Sequence, residues 1–186
     1  MIFESLTVEN WRGIYGTETI HFSTSKEKNT TIVYAQNGIG KTNLLNAIMW
    51  CLYEELTPSF KKPSDILNHE AARRGRKSYH VTIYLRSDDN QLYRISRSGG
   101  KQPGFSIHII SDDGNQKPLP GSAKLFVNSI LPRDMAGYFI NDGEGDDLTT
   151  DENGMISISR SIEDILGFRM AKRAIDDLVT IRKEYY

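Results

Sequence analysis

The sequence predicts an α/β domain, and three observations carry that prediction. A short apolar run, residues 30–34, enters a glycine-containing segment, residues 35–42, which leads out through Leu44, Leu45, Ile48, Met49, Leu52 and Leu56 at helical spacing. From Tyr79 the period changes to two, with Val81, Ile83 and Leu85 alternating with His80, Thr82 and Tyr84. Beyond residue 157 the helical period returns.

In chain order, residues 2–8 and 18–22 read as a strand pair separated by the turn-prone Gly13-Ile14-Tyr15-Gly16. Residues 30–34 read as a brief buried strand, followed by the glycine segment and an amphipathic helix. Between Pro58 and Lys77 periodicity disappears while Lys61, Lys62, Arg73, Arg74, Arg76 and Lys77 accumulate, the pattern of an irregular, exposed, basic excursion. Asp88-Asp89-Asn90 turns the period-two segment into Leu92-Tyr93-Arg94-Ile95, a hairpin, and Phe105, Ile107 and Ile109 supply a third strand. Ser122 is placed to cap a short helix through Leu131 that Pro132 closes, and Tyr138-Phe139-Ile140 reads as a second brief buried strand. An acidic loop, residues 141–151, precedes a helix carrying Ile158, Ile162, Ile165 and Leu166, which Gly167 can terminate. A last helix starts near Arg169, carries Ala171, Ala174, Ile175, Leu178 and Ile181, and meets no stop signal before Tyr186.

The 186 residues suffice for one domain core or one lobe of something larger. Lys and Arg number 23 against 24 Asp and Glu, a net charge of −1, so any nucleic-acid contact must come from a local patch or a partner. No apolar stretch approaches the roughly eighteen residues of a membrane span. The start of the chain lacks a signal-peptide pattern and the single Cys51 has no internal partner, so a cytoplasmic protein is expected. Cys51, Trp11 and Trp50 read as packing residues, and His21, His69, His80 and His108 have no zinc-like spacing.

Ala35-Gln36-Asn37-Gly38-Ile39-Gly40-Lys41-Thr42 matches G-x-x-x-x-G-K-[ST] at every fixed position but the first. Strand in and helix out is the right context: backbone N–H groups from Gly38 to Thr42 would converge on phosphate oxygens at a helix N-terminus. Lys41 would neutralise the terminal phosphates, and the Thr42 hydroxyl would ligate Mg²⁺. Ser98-Gly99-Gly100-Lys101-Gln102 imitates a second nucleotide motif, but Pro103-Gly104 and a strand follow, so it reads as a hairpin connection.

Four blocks together resemble the N-terminal half of the head of SMC-like ABC ATPases of the SbcC-like and DndD-like kind. They are the strand ending in Asn10-Trp11-Arg12-Gly13, the Walker A helix from Asn37 to Ile48, the hairpin of residues 79–97, and Tyr138-Phe139-Ile140-Asn141-Asp142-Gly143-Glu144 with the helices after it. The resemblance implies an α/β P-loop lobe with a mixed sheet plus an antiparallel meander over residues 1–168, and the root of a coiled coil over 169–186. It implies ATP held by Arg12, Asn37, Gly38, Ile39, Gly40, Lys41, Thr42 and Asn43, and Mg²⁺ held by Thr42 and Asp142, the latter directly or through water. For Arg12 the alternative is an exposed turn arginine, and for Trp11, read above as a packing residue, the alternative is an approach to the nucleotide beside Arg12.

The partners implied are the C-terminal half of the same head, a second head on ATP binding, DNA, and a nuclease or modification enzyme. The setting is nucleoid-associated work in repair, DNA modification or antiphage defence. ATP hydrolysis would belong to the full-length protein, with no catalytic residue here because Walker B and the signature motif are absent. A rival reading takes residues 138–142 as a Walker B strand, with Asp142 on the metal and Glu144 as base, and makes the chain a stand-alone P-loop NTPase or switch. For the basic excursion, a DNA contact and a solvated loop both stand.

Overall fold

Six short segments pair into one sheet, and the longer of them alternate buried with less buried residues. In the computed structural model, which describes residues 1–34, 40–56, 66–133, 136–140 and 178, the strands are β1 (Ile2–Glu9), β2 (Thr17–His21), β3 (Ser78–Arg86), β4 (Leu92–Gly100), β5 (Gly104–Ile110) and β6 (Gln116–Pro118). Their spatial order is β2-β1-β3-β4-β5-β6, antiparallel at every pairing among the described residues. The helices are α1 (Lys41–Tyr53), α2 (His69–Arg73), α3 (Ala123–Ile130) and α4 (Ala136–Phe139). None of them is long and apolar enough to cross a membrane.

Register places Leu6, Ile83, Ile95 and Ile107 side by side on four neighbouring strands, and none is more than 3% exposed. Burying each contributes on the order of 2 kcal/mol. Helix α1 covers this face, with Ala47, Met49, Trp50, Cys51 and Leu52 buried along it. The Cys51 thiol lies 3.6 Å from the Val81 carbonyl oxygen and 3.7 Å from that of Ile95. Burial pushes its pKa up from 9.0 to about 12, so the sulfur is a packed apolar atom and no nucleophile. The rings of Trp11, Trp50 and Tyr79 meet in a triangle with centroids 5.1 to 5.9 Å apart. Gly99, paired with Tyr79, leaves room for it: a Cβ there would stand 2.3 Å from the ring. Opposite this face, hydroxyls pair across strands, Thr7 with Thr19 at 2.9 Å and Thr82 with Ser96 at 3.0 Å.

The strand pair, the walls of the hairpin, the third strand and the Ser122 cap all stand where the sequence predicts them. Ser122 Oγ accepts from the Leu125 amide, and residues 101–103 form the connection between β4 and β5. Two expectations do not hold. Residues 30–34 form no strand, and Ile32 and Tyr34 are 85% and 95% exposed. Their composition suits a strand, but a strand exists only through its ladder, and no described strand pairs with this segment. Residues 138–140 are not a buried strand either. Phe139 lies in α4 and is 60% exposed, and the Ile140 amide donates to the Ala136 carbonyl at 2.8 Å, a helical bond. Three consecutive apolar residues suit a helical turn as well as a strand. Within the basic excursion α2 rises from Asn68, whose side chain accepts from the Ala71 amide. A five-residue helix is too short to show periodicity.

The chain divides into two compact units, Met1–Pro132 and Arg133–Tyr186. The sheet, α1, α2 and α3 belong to the first. The expected boundary at 168/169 and both C-terminal helices lie outside the described residues, apart from Leu178, which is helical.

Candidate nucleotide-binding site

Helix α1 begins at Gly40, whose φ of 111° suits glycine and strains any other residue. A Cβ there would lie 2.9 Å from Asn43 Nδ2. No side chain caps this end and its first turn carries no acid, so the backbone amides and the positive end of the dipole are offered to an anion. Lys41, exposed, and Thr42 are the first two helical residues. Asn46, fully buried, donates from Nδ2 to the Thr42 carbonyl at 2.9 Å and so pins the first turn from inside.

The turn carrying Arg12 lies beside that start. Asn10 and Arg12 both adopt a φ of 51°, a left-handed conformation unusual for residues with side chains. The bonds around them account for it. The Asn10 side-chain oxygen accepts from the Gly16 amide at 3.1 Å, and the Arg12 amide donates to the Ile66 carbonyl at 2.7 Å. The Arg12 carbonyl accepts from Asn68 Nδ2 at 2.6 Å, and the Asn68 amide donates to the Asn10 carbonyl at 2.8 Å. Between the two strained residues, Trp11 is fully buried and donates from Nε1 to the Asn43 carbonyl at 3.0 Å. Asn43 Nδ2 also lies 3.9 Å from where a Cβ of Gly13 would stand. Arg12, Gly40, Lys41, Thr42 and Asn43 therefore come together at one end of α1. Asn37, Gly38, Ile39 and Asp142 lie outside the described residues.

The far end of α1 is held by a cation from the sheet. Arg97, on β4 and 6% exposed, donates from Nε to the Cys51 carbonyl at 2.9 Å and from Nη2 to the Leu52 carbonyl at 3.4 Å. Its Nη1 reaches Glu54 Oε2 at 3.0 Å, and its plane lies 4.1 Å from the Phe105 ring centroid. Burial pulls the Arg97 pKa below its usual value, with Glu54 opposing that pull. The helix has no basic residue of its own in its last turn, so Arg97 supplies the complement to its negative end. Tyr53 Oη adds a bond to the Leu131 carbonyl at 2.7 Å.

Sequence reasoning missed the work of Arg97, Asn46, Asn68 and the Trp11 indole N–H. Asn46 on the buried side of an apolar helix was the one readable signal. Asn68 sits in a segment without periodicity, and Arg97 matters only through a register that no local pattern encodes. The Walker B alternative requires a strand over 138–140, and those residues lie in a helical turn.

Comparison with known proteins bears on the family and the fold. Residues 5–161 match a family model described as an AAA domain, AAA_23. The chain is 24% identical over 189 residues to the DNA double-strand break repair Rad50 ATPase of Thermococcus kodakarensis, covering 99% of this chain and 20% of that protein. It thus spans about one fifth of the length of that relative. A solved structure described by ATP-driven dimerization and DNA-stimulated activation of SMC ATPases superposes with a TM-score of 0.52 at 19% identity, over 89% of this chain and 99% of that one. The SMC head domain from Thermotoga maritima gives 0.43 at 17% identity, over 72% and 42% of the two chains. With the Gly40–Thr42 helix start in its expected place and the family model covering most of its length, the chain belongs to the AAA_23 family of AAA domains, and its fold is that of the N-terminal portion of an SMC-like, ABC-type ATPase head.

Proposed function

We propose that this chain binds MgATP at the start of α1 and works as the nucleotide-binding N-terminal half of an SMC-like head. The observation that supports the reading is the uncapped, acid-free start of α1 at left-handed Gly40, with the Arg12 turn fastened beside it. The residues present fit the ligand: an anion-seeking helix end, a lysine, a hydroxyl and, on the turn beside them, an arginine. Amides of the first turn and Lys41 would hold the phosphates, Arg12 would add charge-assisted bonds, and Thr42 would offer its hydroxyl to Mg²⁺ with Asp142 as second ligand. Mg²⁺, when bound, would neutralise part of the phosphate charge. Asn37, Gly38, Ile39 and Asn43 complete the expected loop.

Hydrolysis on this reading needs the C-terminal half of the head, which carries the Walker B acid and the signature motif. Two heads would close over ATP, because contacts made only in the closed dimer shift the population toward it. The relatives, a double-strand break repair ATPase and an SMC structure described by ATP-driven dimerization and DNA-stimulated activation, motivate a cytoplasmic, nucleoid-associated role in repair, with DNA modification or antiphage defence as alternatives and a nuclease or modification enzyme as partner. Arg73, Arg74, Arg76 and Lys77 are exposed around the end of α2, with Glu70 as the acid paired to Arg73 and Arg74. They are the surface we propose for DNA phosphates. Replacing Arg73 and Arg74 by Ala should weaken DNA binding and flatten its dependence on salt; unchanged binding removes the patch.

The central test is steady-state ATP turnover by the 186-residue chain and its Lys41→Ala variant. No turnover in either, restored for the wild type when the C-terminal half is added, supports the half-head. Turnover by the chain alone that Lys41→Ala abolishes places a catalytic acid within it and overturns the reading.

A further inference from the structure

We infer that Trp11 is a positioning residue for nucleotide binding, setting the register between the Arg12 turn and the first turn of α1 through its indole N–H. The inference rests on the proposed MgATP site and names the element that assembles it. Neither half of that site fixes the other by chain continuity, because residues 13–40 intervene. Across that gap, the Trp11 Nε1–H donates to the Asn43 carbonyl at 3.0 Å. Asn43 follows Thr42 directly, so the bond acts at the turn expected to hold phosphate.

Three further features point the same way. Trp11 is fully buried, and its ring contacts Trp50 two helical turns further along α1 and Tyr79 on β3, so the indole cannot turn away. Its neighbours Asn10 and Arg12 are both left-handed, so the turn is strained on either side of it. Asn68 fastens the same turn from α2, through the Arg12 and Asn10 carbonyls. Strain held between two anchors fits a guanidinium delivered at a set place. A purely structural tryptophan needs its ring but not a bond to this carbonyl, since Asn43 lies in a helix whose own amides can reach it.

The test measures affinity for Mg²⁺ with a non-hydrolysable ATP analogue by calorimetry, in the full-length protein, for Trp11→Phe, Arg12→Ala and the double variant. Trp50→Phe is the control that alters the aromatic triangle and spares the bond to Asn43. We expect Trp11→Phe to weaken binding about fivefold, the equivalent of ~1 kcal/mol for one hydrogen bond. In the Arg12→Ala background the same change should have almost no effect, because the residue being positioned is gone. Equal losses in both backgrounds, or an equal loss in Trp50→Phe, would show a general packing role and overturn the inference. Should Trp11→Phe fail to fold, the isosteric benzothienylalanine at position 11 removes the N–H alone, and unchanged affinity there overturns it as well. A wild type that binds no analogue refutes the nucleotide site itself, a result distinct from a wild type that binds and variants that match it.

Discussion

Replacing Arg97 with Met should unfold the first unit at markedly lower denaturant. The guanidinium is buried and bonds two carbonyls at the end of α1 as well as Glu54. Hydrogen bonds from a charged donor contribute about 1.5 to 3 kcal/mol each, and an orphaned buried carbonyl costs about 1 to 3 kcal/mol. Two offsets reduce the sum. Glu54 is 66% exposed and water will solvate it once its partner is gone, and the Met side chain regains apolar contact with Phe105 and Trp50. A net loss of about 3 kcal/mol remains, most of it from the two carbonyls at the end of α1. Arg97→Lys keeps the charge but not the fork that serves Nε, Nη1 and Nη2 at once, and should lose about 1 to 2 kcal/mol. Equilibrium urea unfolding at constant m-value reads both. If Arg97→Met lies within 0.5 kcal/mol of wild type, or Glu54→Gln costs as much as Arg97→Met, the carbonyls are not what Arg97 holds.

Two other outcomes can be checked with the same method. Gly40→Ala places a Cβ 2.9 Å from Asn43 Nδ2 at a φ of 111°; it should lose about 1 to 2 kcal/mol and weaken MgATP binding, whereas Gly114→Ala, also left-handed in the turn between β5 and β6 but with nothing within 4 Å, should leave nucleotide binding unchanged. Equal effects on binding would remove the steric explanation. The unfolded Cys51 thiol ionises near 9.0 while the folded one keeps its proton to about 12, so its contribution is whole below pH 9.0 and fades as pH rises toward 12, by up to about 1.4 kcal/mol per pH unit. Cys51→Ala should flatten the decline of the urea midpoint between pH 8 and pH 10; an identical decline in both proteins would refute the burial.

What the sequence disclosed depended on how local each feature was. The β3–β4 hairpin was legible because period two and a tight turn sit within twenty-odd residues, and α1 because its apolar residues recur at helical spacing just after a glycine. Arg97 looks like any strand arginine until register sets it beside Val81 and Phe105, under the end of α1. Arg12 was flagged through its neighbours in a motif, yet its fastening comes from Ile66 and Asn68, more than fifty residues away. Residues 30–34 and 138–140 were misread for a common reason. Apolar character states that a segment wants a partner, and leaves open which partner it meets.

That distinction gives residues 30–34 a consequence. Thr30, Thr31, Ile32, Val33 and Tyr34 are β-formers, they run directly into the phosphate loop, and Ile32 and Tyr34 face solvent. Among the described strands none pairs with this lead-in, whereas Asn46, Trp11 and Gly40 constrain the first turn of α1. If the C-terminal half of the head completes the sheet here, amides 31–34 should exchange within seconds in the isolated chain and become protected at least a hundredfold when that half is added. Hydrogen exchange followed by mass spectrometry resolves the segment. Protection in the chain alone would mean that these residues already have a ladder, and continued fast exchange in the assembled head would mean that its other half docks elsewhere.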